Sequence, residues 1–193
     1  MAFSSAIVLV GMPGGGKSTV GRHLARQLGW RFADSDAEIE RRIGGTIREY
    51  FDQHGEAAFR DVEAQTITEL TAVPGSLVLA TGGGAVLREA NRDALRHAGT
   101  VVYLRSTPEE LFRRLRHDTQ RPLLQVKDPL KRLRELYQER DPLYRRTAHF
   151  VIETGRPSVP TLVNMILMQL ELAGVVDPSR EGAPQAGGRA GAP

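Results

Sequence analysis

Residues 11–18, with the sequence GMPGGGKS, constrain the fold of this chain more than any other segment. They match the pattern G-x-x-x-x-G-K-[ST] of a phosphate-binding loop, and they lie between an apolar run at 6–10 and an amphipathic stretch at 17–28. The chain has 23 arginines but only three lysines, and one of the three, Lys17, falls at the lysine position of the motif. The segment therefore predicts a strand, a glycine-rich loop and a helix in succession, as in a nucleotide-binding α/β domain.

The motif predicts how this loop holds nucleotide phosphates. Its glycines let backbone N–H groups turn towards phosphate oxygens, and the N-terminus of the following helix adds a favourable dipole. Lys17 is expected to reach the β- and γ-phosphates and to take part in catalysis, and the Ser18 hydroxyl is expected to bind Mg²⁺. An ordinary glycine-rich turn before a helix is the alternative interpretation. The predicted ATP contacts in this loop are Gly14, Gly15, Gly16, Lys17, Ser18 and Thr19.

Beyond the loop, short apolar runs alternate with longer amphipathic stretches. This alternation predicts one α/β domain, a parallel sheet covered by helices on both faces. The predicted strands are residues 6–10, 31–33, 77–81, 100–104 and 150–153. The predicted helices are residues 17–28, 37–43, 47–54, 57–71, 89–97, 108–115, 129–139 and 159–172. The domain is expected to span residues 1–176, and residues 177–193, rich in Gly, Ala and Pro, are expected to be a disordered tail.

Composition excludes several classes of function. The chain has no cysteine, which rules out disulfides and thiol nucleophiles. No apolar run approaches the ~20 residues that span a bilayer, and no leader pattern is seen, so we expect a cytoplasmic location. The net charge is only +3 and the arginines are spread along the chain, which favours no nucleic-acid partner. Neither an N-K-x-D nor an LSGGQ signature is present, and this small size with a phosphate loop favours a small-molecule kinase.

Two carboxylates follow the second predicted strand, in the sequence Asp34, Ser35 and Asp36. On an extended segment they would point the same way, at the carboxyl end of a strand, where open α/β sheets bind ligands. One could hold Mg²⁺, and the other could accept a proton from a substrate hydroxyl or orient it. Capping of the next helix is an equally good interpretation of either aspartate.

Two later segments suggest a substrate pocket. Arg60 and Glu63 are three residues apart and share a helix face, so Glu63 could orient the Arg60 fork towards a substrate carboxylate, although a surface ion pair is the simpler interpretation. Phe51 and Phe59 could wall this pocket or pack in the core. Glycines at 82–84, called the glycine run below, follow an apolar strand and predict that the backbone approaches another group closely.

Taken together, these segments resemble the shikimate kinase family, from about residue 6 to residue 172. The matching segments are the phosphate loop, Asp34 to Asp36, Phe59 and Arg60 with Glu63, the glycine run, RPLL at 121–124 and RDPLY at 140–144. The resemblance implies transfer of the γ-phosphoryl group from ATP, with Mg²⁺, to the 3-hydroxyl of shikimate. It also implies a five-stranded parallel sheet in the order 2-3-1-4-5 and a lid at about 117–128.

The resemblance also implies roles for individual residues. Asp34 would assist Mg²⁺ binding beside Ser18. Asp36 would bind the shikimate hydroxyls and is the candidate catalytic base, while Arg60 and Arg140 would clamp the shikimate carboxylate.

Further roles concern the backbone and the nucleotide. The Gly83 backbone would contact shikimate. Arg121 in the lid would move onto the ATP phosphates and neutralise charge during transfer. Arg114 and Arg156 would flank the adenine of ATP.

Other interpretations stay open at this point. A related kinase for gluconate or a nucleotide would share the phosphate loop, and a nucleotide-dependent regulator that lost catalysis would share the fold. A nucleic-acid-binding ATPase would draw only on the basic charge. The family resemblance implies a monomer.

Overall fold

Five parallel strands form one sheet in the order β2-β3-β1-β4-β5 in this computed structural model, which describes residues 5–116 and 126–177. The strands are β1 (Ser5–Val10), β2 (Arg31–Asp34), β3 (Ser76–Ala80), β4 (Gly99–Arg105) and β5 (Phe150–Glu153). The helices are α1 (Lys17–Leu28), α2 (Ser35–Ile43), α3 (Ile47–Ala72), α4 (Glu89–Ala98), α5 (Pro108–Leu115), α6 (Pro129–Thr147) and α7 (Val159–Leu172). The predicted sheet order and α/β class are confirmed.

The central strand β1 shows why the sequence reads as an unbroken apolar run. Its side chains alternate between two separate cores, because successive residues of a strand point to opposite faces. Val8 and Val10 pack in one core with Tyr103, while Ile7 and Leu9 pack in the other core, which contains side chains of α1 and α7. All five are fully buried. Both faces of the sheet are covered, so β1 needs no polar alternation.

The predicted interruption between the helices at 47–54 and 57–71 is confirmed. The chain stays helical from Ile47 to Ala72 except at Gly55, whose φ of 83° and ψ of 171° divide the segment. A positive φ costs glycine little, because it has no Cβ. The turn at Gly55 therefore redirects the helix, and residues on both sides of it line the same cleft.

The predicted end of α6 at residue 139 is wrong. The helix continues through Pro142 to Thr147, although proline removes one backbone donor from a helix interior and disfavours the helix there. Burial of Tyr144 and Thr147 and a 2.8 Å hydrogen bond from the Tyr103 hydroxyl to Asp141 hold the last two turns against the sheet. Tertiary packing overrides the local proline signal, and Arg140 consequently lies on a helix.

Some predictions fall on residues outside the described ranges. Of the expected lid at 117–128, only residues 126–128 are described. Of the expected tail at 177–193, only Asp177 is described. Within the described residues, 5–116 and 126–177, no helix is both long enough and apolar enough to cross a bilayer.

Candidate active site

The phosphate loop lies between the end of β1 and the start of α1. Gly16 is the N-cap of α1 and has φ of 82°, a left-handed conformation that disfavours any other residue. The buried Lys17 side chain folds back so that Nζ donates to the carbonyl oxygens of Gly11 and Met12, at 2.8 Å each. The loop is thus wrapped around the lysine ammonium group, while Thr19 is exposed in the first turn of α1.

Asp34 caps a helix and also contacts the phosphate loop. Its Oδ1 accepts hydrogen bonds from the backbone N–H of Asp36 at 3.0 Å and of Ala37 at 3.1 Å, so it caps α2. Its Oδ2 accepts from the Ser18 hydroxyl at the start of α1. The expectation of an extended segment is wrong, because α2 begins at Ser35 and places Asp36 in its first turn.

The pair formed by Ser18 and Asp34 fits a magnesium ion. Both offer oxygen donors, which Mg²⁺ prefers. Within residues 5–116 and 126–177, no group of three or more His, Cys, Asp or Glu side chains is arranged to hold a metal. Mg²⁺ in nucleotide sites is usually held by one or two protein ligands together with substrate phosphates and water, so a small oxygen donor set is the expected one.

Asp36 faces a cleft that opens beside the phosphate loop. Its Oδ1 is buried and makes no hydrogen bond with any described residue. Burial, with smaller contributions from the charges of Glu63 and Asp34, raises the pKa of Asp36 to about 6, and Lys17 and Arg60 oppose this rise. An acceptor oxygen of this kind suits a ligand hydroxyl, which could donate to it.

Arg60 is the most enclosed cation of the cleft. Its side chain is only 11% exposed and its Nη1 donates to Glu63 Oε1 at 2.9 Å, so the predicted Arg60–Glu63 contact is present. The guanidinium lies 5.1 Å from the ring centre of Phe59 and 5.9 Å from that of Phe51. Its Nε is buried and has no partner among the described residues. The two rings and Glu63 therefore hold the guanidinium in place, and its Nε stays available to a ligand.

Arg140 reaches the same cleft from α6. Its Nε is also buried without a described partner, as is Glu63 Oε2. The cleft has a volume of about 1150 Å³. Its lining includes Asp36, Phe51, Phe59, Arg60, Glu63, the glycine run and Arg140. The structure thus brings together all the residues predicted to contact the acceptor, with two arginines from different helices.

The glycine run owes its composition to crowding. A Cβ atom on Gly82 would lie 2.5 Å from Asp36 Oδ1, and a Cβ on Gly84 would overlap the Arg60 guanidinium. A Cβ on Gly83 would lie 2.5 Å from Pro13 Cδ in the phosphate loop. The prediction that this backbone approaches other groups closely is confirmed, and those groups are Asp36, Pro13 and Arg60.

Several cleft residues were missed by sequence reasoning. Arg132 and Leu136 line the cleft about two turns and one turn before Arg140, respectively. The Tyr144 hydroxyl donates to the Gly83 carbonyl at 2.6 Å. The signal that could have found them is their spacing of four residues along α6, which places all of them on one helix face. Ending the helix at residue 139 hid that pattern.

The predicted adenine contacts are partly brought together. The Arg114 guanidinium donates from Nη2 to the Thr154 carbonyl at 2.8 Å, and it lines a cavity of about 230 Å³ with Glu110, Arg113 and Gly155. Arg156 follows Gly155 and is exposed. Arg121, the predicted lid arginine, lies outside the described residues.

Comparison with known proteins agrees with this geometry. Residues 13–171 match the family model described as shikimate kinase. The shikimate kinase of Paracidovorax citrulli is 63% identical over 177 residues, covering 90% of this chain and 96% of that protein. That of Ralstonia nicotianae is 57% identical over 180 residues, covering 93% and 94%.

Solved structures give the same result. Shikimate kinase from Acinetobacter baumannii, in complex with shikimate, superposes with a TM-score of 0.83 at 48% identity, covering 90% of this chain and 96% of that one. A gluconokinase from Sinorhizobium meliloti has a TM-score of 0.56 at 20% identity, over 90% and 95% of the two chains, which shows a shared fold alone. On the match of the family model and on these identities, the chain belongs to the shikimate kinase family.

Proposed function

We propose that this chain transfers the γ-phosphoryl group of MgATP to the 3-hydroxyl of shikimate, giving 3-phosphoshikimate and ADP for aromatic amino-acid biosynthesis. The observation that carries the proposal is the cleft beside the phosphate loop, which is lined by Asp36, Arg60 and Arg140. The buried Oδ1 of Asp36 and the buried Nε atoms of both arginines have no hydrogen-bond partner among the described residues. Shikimate carries one carboxylate and three hydroxyls on a ring, and this set of side chains complements both kinds of group. ATP is a co-substrate, and Mg²⁺ is the metal that the donor set fits.

Arg60 and Arg140 bind the carboxylate of shikimate. A planar guanidinium can form two parallel hydrogen bonds with a carboxylate, and such charge-assisted pairs are among the stronger polar contacts in proteins. Glu63 accepts from Arg60 Nη1 at 2.9 Å and Glu56 accepts from Nη2 at 3.5 Å, so Nε is the nitrogen without a partner among the described residues. The orientation of the substrate ring is thereby fixed by two cations that approach from α3 and α6.

Asp36 accepts the hydrogen bond of the hydroxyl to be phosphorylated. Phosphoryl transfer proceeds through a loose transition state in most analyses, which requires little early deprotonation of the nucleophile. Asp36 therefore acts mainly by orienting the hydroxyl in line with the γ-phosphorus, and it takes up the proton as transfer is completed. The Gly83 backbone lines the same cleft and would contact the same substrate.

The phosphate loop organises the part of the site that binds ATP, the phosphoryl donor. Backbone N–H groups at Gly14, Gly15 and Gly16 surround the phosphates, and Lys17 moves from the loop carbonyls to the β- and γ-phosphates when ATP is bound. Ser18, assisted by Asp34, would hold Mg²⁺, which neutralises phosphate charge when bound. Arg114 contacts the adenine beside Gly155, with Thr19 and Arg156 as further nucleotide contacts. The family resemblance assigns Arg121 to the phosphates, where its charge would neutralise the transferring group.

The test of the proposal is ADP release from MgATP, measured with shikimate and with gluconate and nucleoside monophosphates as control acceptors. Stimulation by shikimate alone is expected. Stimulation by gluconate or a nucleotide would leave the phosphate loop as assigned and overturn the acceptor assignment. No stimulation by any acceptor, with ATP binding intact, would instead favour the nucleotide-dependent regulator.

Location and assembly are further parts of the proposal. The reaction consumes ATP, and we place it in the cytoplasm, where ATP is made available. The chain acts as a monomer, with a complete site in one chain. Cell fractionation and sedimentation velocity at working concentration test these two statements.

Gly84→Ala is expected to lower kcat/KM for shikimate about 10-fold, because a Cβ there overlaps the Arg60 guanidinium. Displacing a guanidinium that orients the substrate by a fraction of an ångström is expected to slow the reaction by about this factor. The KM for ATP should stay within about twofold, since Arg60 belongs to the acceptor side. Steady-state kinetics with each substrate varied in turn measure both quantities.

Gly45→Ala is the matched control for this substitution. Gly45 lies in the turn between α2 and α3, and a Cβ there meets only the flexible end of Glu49, at 3.1 Å. Near-wild-type kinetics are expected. An equal loss in both variants would contradict the specific clash at Gly84.

A further inference from the structure

Tyr144 connects the acceptor helix to the glycine run. It lies on α6 four residues after Arg140, is fully buried, and donates its hydroxyl hydrogen to the Gly83 carbonyl at 2.6 Å. Its ring packs against that of Tyr103, with the ring centres 4.9 Å apart. The hydrogen bond therefore joins two rigidly held segments that are 61 residues apart in sequence.

This hydrogen bond fixes one peptide plane of the cleft wall. The carbonyl of Gly83 and the N–H of Gly84 belong to one planar trans peptide and point in opposite directions. A carbonyl held by Tyr144 therefore directs the Gly84 N–H away from α6. Among the described residues, the N–H groups of Gly83 and Gly84 donate to no protein acceptor, whereas those of Gly82 and Ala85 donate to Ser35 Oγ at 3.3 Å and to the Gly82 carbonyl at 3.1 Å.

The same peptide also lies against the phosphate loop. Gly83 lies so close to Pro13 of the phosphate loop that a Cβ on the glycine would be 2.5 Å from Pro13 Cδ. The Gly83 backbone is thus packed between α6 and the phosphate loop. A shift of this peptide would change the direction of the Gly84 N–H and the distance of the peptide from the loop together.

We propose that Tyr144 is a positioning residue for phosphoryl transfer, whose hydroxyl holds the Gly83–Gly84 peptide so that the Gly84 N–H faces the acceptor substrate. The inference rests on the proposed function, because it names shikimate as the ligand that this N–H meets. Tyr144 acts through Gly83 and has no contact role of its own with the reacting atoms.

The chemistry of the hydroxyl agrees with a positional role. Burial raises the pKa of Tyr144 above its ordinary value near 10, so the group keeps its proton at every pH at which the protein works. It is a permanent donor, and it neither gives up nor takes up a proton during the reaction. Without it, the half-buried Gly83 carbonyl would lose its hydrogen-bond partner in the protein, which favours rotation of the peptide.

The test is Tyr144→Phe, which keeps the ring and its packing on Tyr103 and removes only the hydroxyl. The KM for shikimate is expected to rise about 10-fold, the effect of losing one well-oriented hydrogen bond, while kcat falls by less than about threefold and the KM for ATP stays within about twofold. The Ala85 amide is expected to exchange its hydrogen faster in the variant, because the neighbouring peptide loses its anchor.

Tyr137→Phe is the matched control. Tyr137 lies on the same helix, and its hydroxyl accepts a 2.7 Å hydrogen bond from Arg105 Nε, away from the glycine run. Its variant is expected to keep both KM values.

Four results would overturn the proposal: a shikimate KM within twofold of wild type in Tyr144→Phe, an equal rise in both substrates' KM values, the same change in Tyr137→Phe, or a Tyr144→Phe protein that cannot fold even with both substrates present. Wild-type protein that does not phosphorylate shikimate at all would refute the proposed function instead. In that case the exchange rate of the Ala85 amide still decides whether Tyr144 anchors the glycine run.

Discussion

Arg60→Lys is expected to lower kcat/KM for shikimate about 30- to 100-fold, with the KM for ATP unchanged within about twofold. Lysine keeps the positive charge but loses the planar fork, so it cannot bind Glu63 and a substrate carboxylate side by side. Loss of one or two charge-assisted hydrogen bonds costs about 2–3 kcal/mol, which corresponds to this range. The side chain is nearly enclosed by Phe51, Phe59 and Glu63, which leaves little water to replace the missing contact.

Shikimate affinity measured by calorimetry without ATP separates this effect from catalysis. The control is Arg42→Lys on α2, whose guanidinium pairs with Glu38 and with Glu69, both away from the substrate cleft. That variant should bind shikimate as wild type does, since surface ion pairs contribute little and tolerate lysine. Unchanged shikimate affinity in Arg60→Lys would refute the carboxylate clamp.

The fold was predictable where local signals agree with tertiary structure. Strand β1 is a continuous apolar run, and Gly16 ends the loop after it with a left-handed conformation. Both signals arise from a few adjacent residues, and burial of β1 on both faces reinforces them. The break at Gly55 was predictable for the same reason, because one glycine accounts for it.

Helix α6 shows where local signals fail. Pro142 predicts an end, but contacts to residues far away in sequence, such as the hydrogen bond from Tyr103 to Asp141, help to hold the two turns around it. No window of sequence around residue 142 contains that information. The same failure concealed the alignment of Arg140 with Tyr144, and so the link from Tyr144 to Gly83.

The candidate site was predictable residue by residue only in part. Spacing alone suggested the Arg60–Glu63 contact, because three residues correspond to about one helical turn. Arg140 comes from a helix 80 positions further along, and only the family resemblance could assign it to the same site. For Asp34, spacing could not choose between cap and metal ligand. The structure shows Oδ1 capping α2 and Oδ2 accepting a hydrogen bond from Ser18, and the metal role stays a prediction.

Asp36→Asn is expected to reduce kcat with shikimate about 100-fold and to raise the KM for shikimate, because an amide is a weaker acceptor and cannot take up the hydroxyl proton. A misoriented nucleophile alone can cost a factor of this size, so the loss does not require Asp36 to act as a strong base. The KM for ATP should change little. Wild-type turnover together with wild-type shikimate affinity would rule out both the orienting and the proton-accepting role.

The same substitution is expected to stabilise the protein. Burial first, and then the charges of Glu63 and Asp34, raise the pKa of Asp36 from 3.8 to about 6, despite the opposing charges of Lys17 and Arg60. The ionised carboxylate is therefore less favourable in the folded than in the unfolded chain, and above pH 6 this disfavours folding by about 2–3 kcal/mol. Asparagine removes the charge, so at pH 7.5, without nucleotide or magnesium, Tm should rise by about 5 °C.

The pH dependence distinguishes this explanation from improved packing. Below pH 3.8 the carboxyl is protonated in both folded and unfolded chains, so the difference in Tm between variant and wild type should grow between about pH 4 and pH 6 and be constant above pH 6. Asp93→Asn, at an exposed position on α4, is the control and should change neither Tm nor kcat. A gain in Tm independent of pH would contradict the electrostatic cause. A gain with the expected profile would mean that the chain keeps a destabilising buried carboxylate because the reaction needs it.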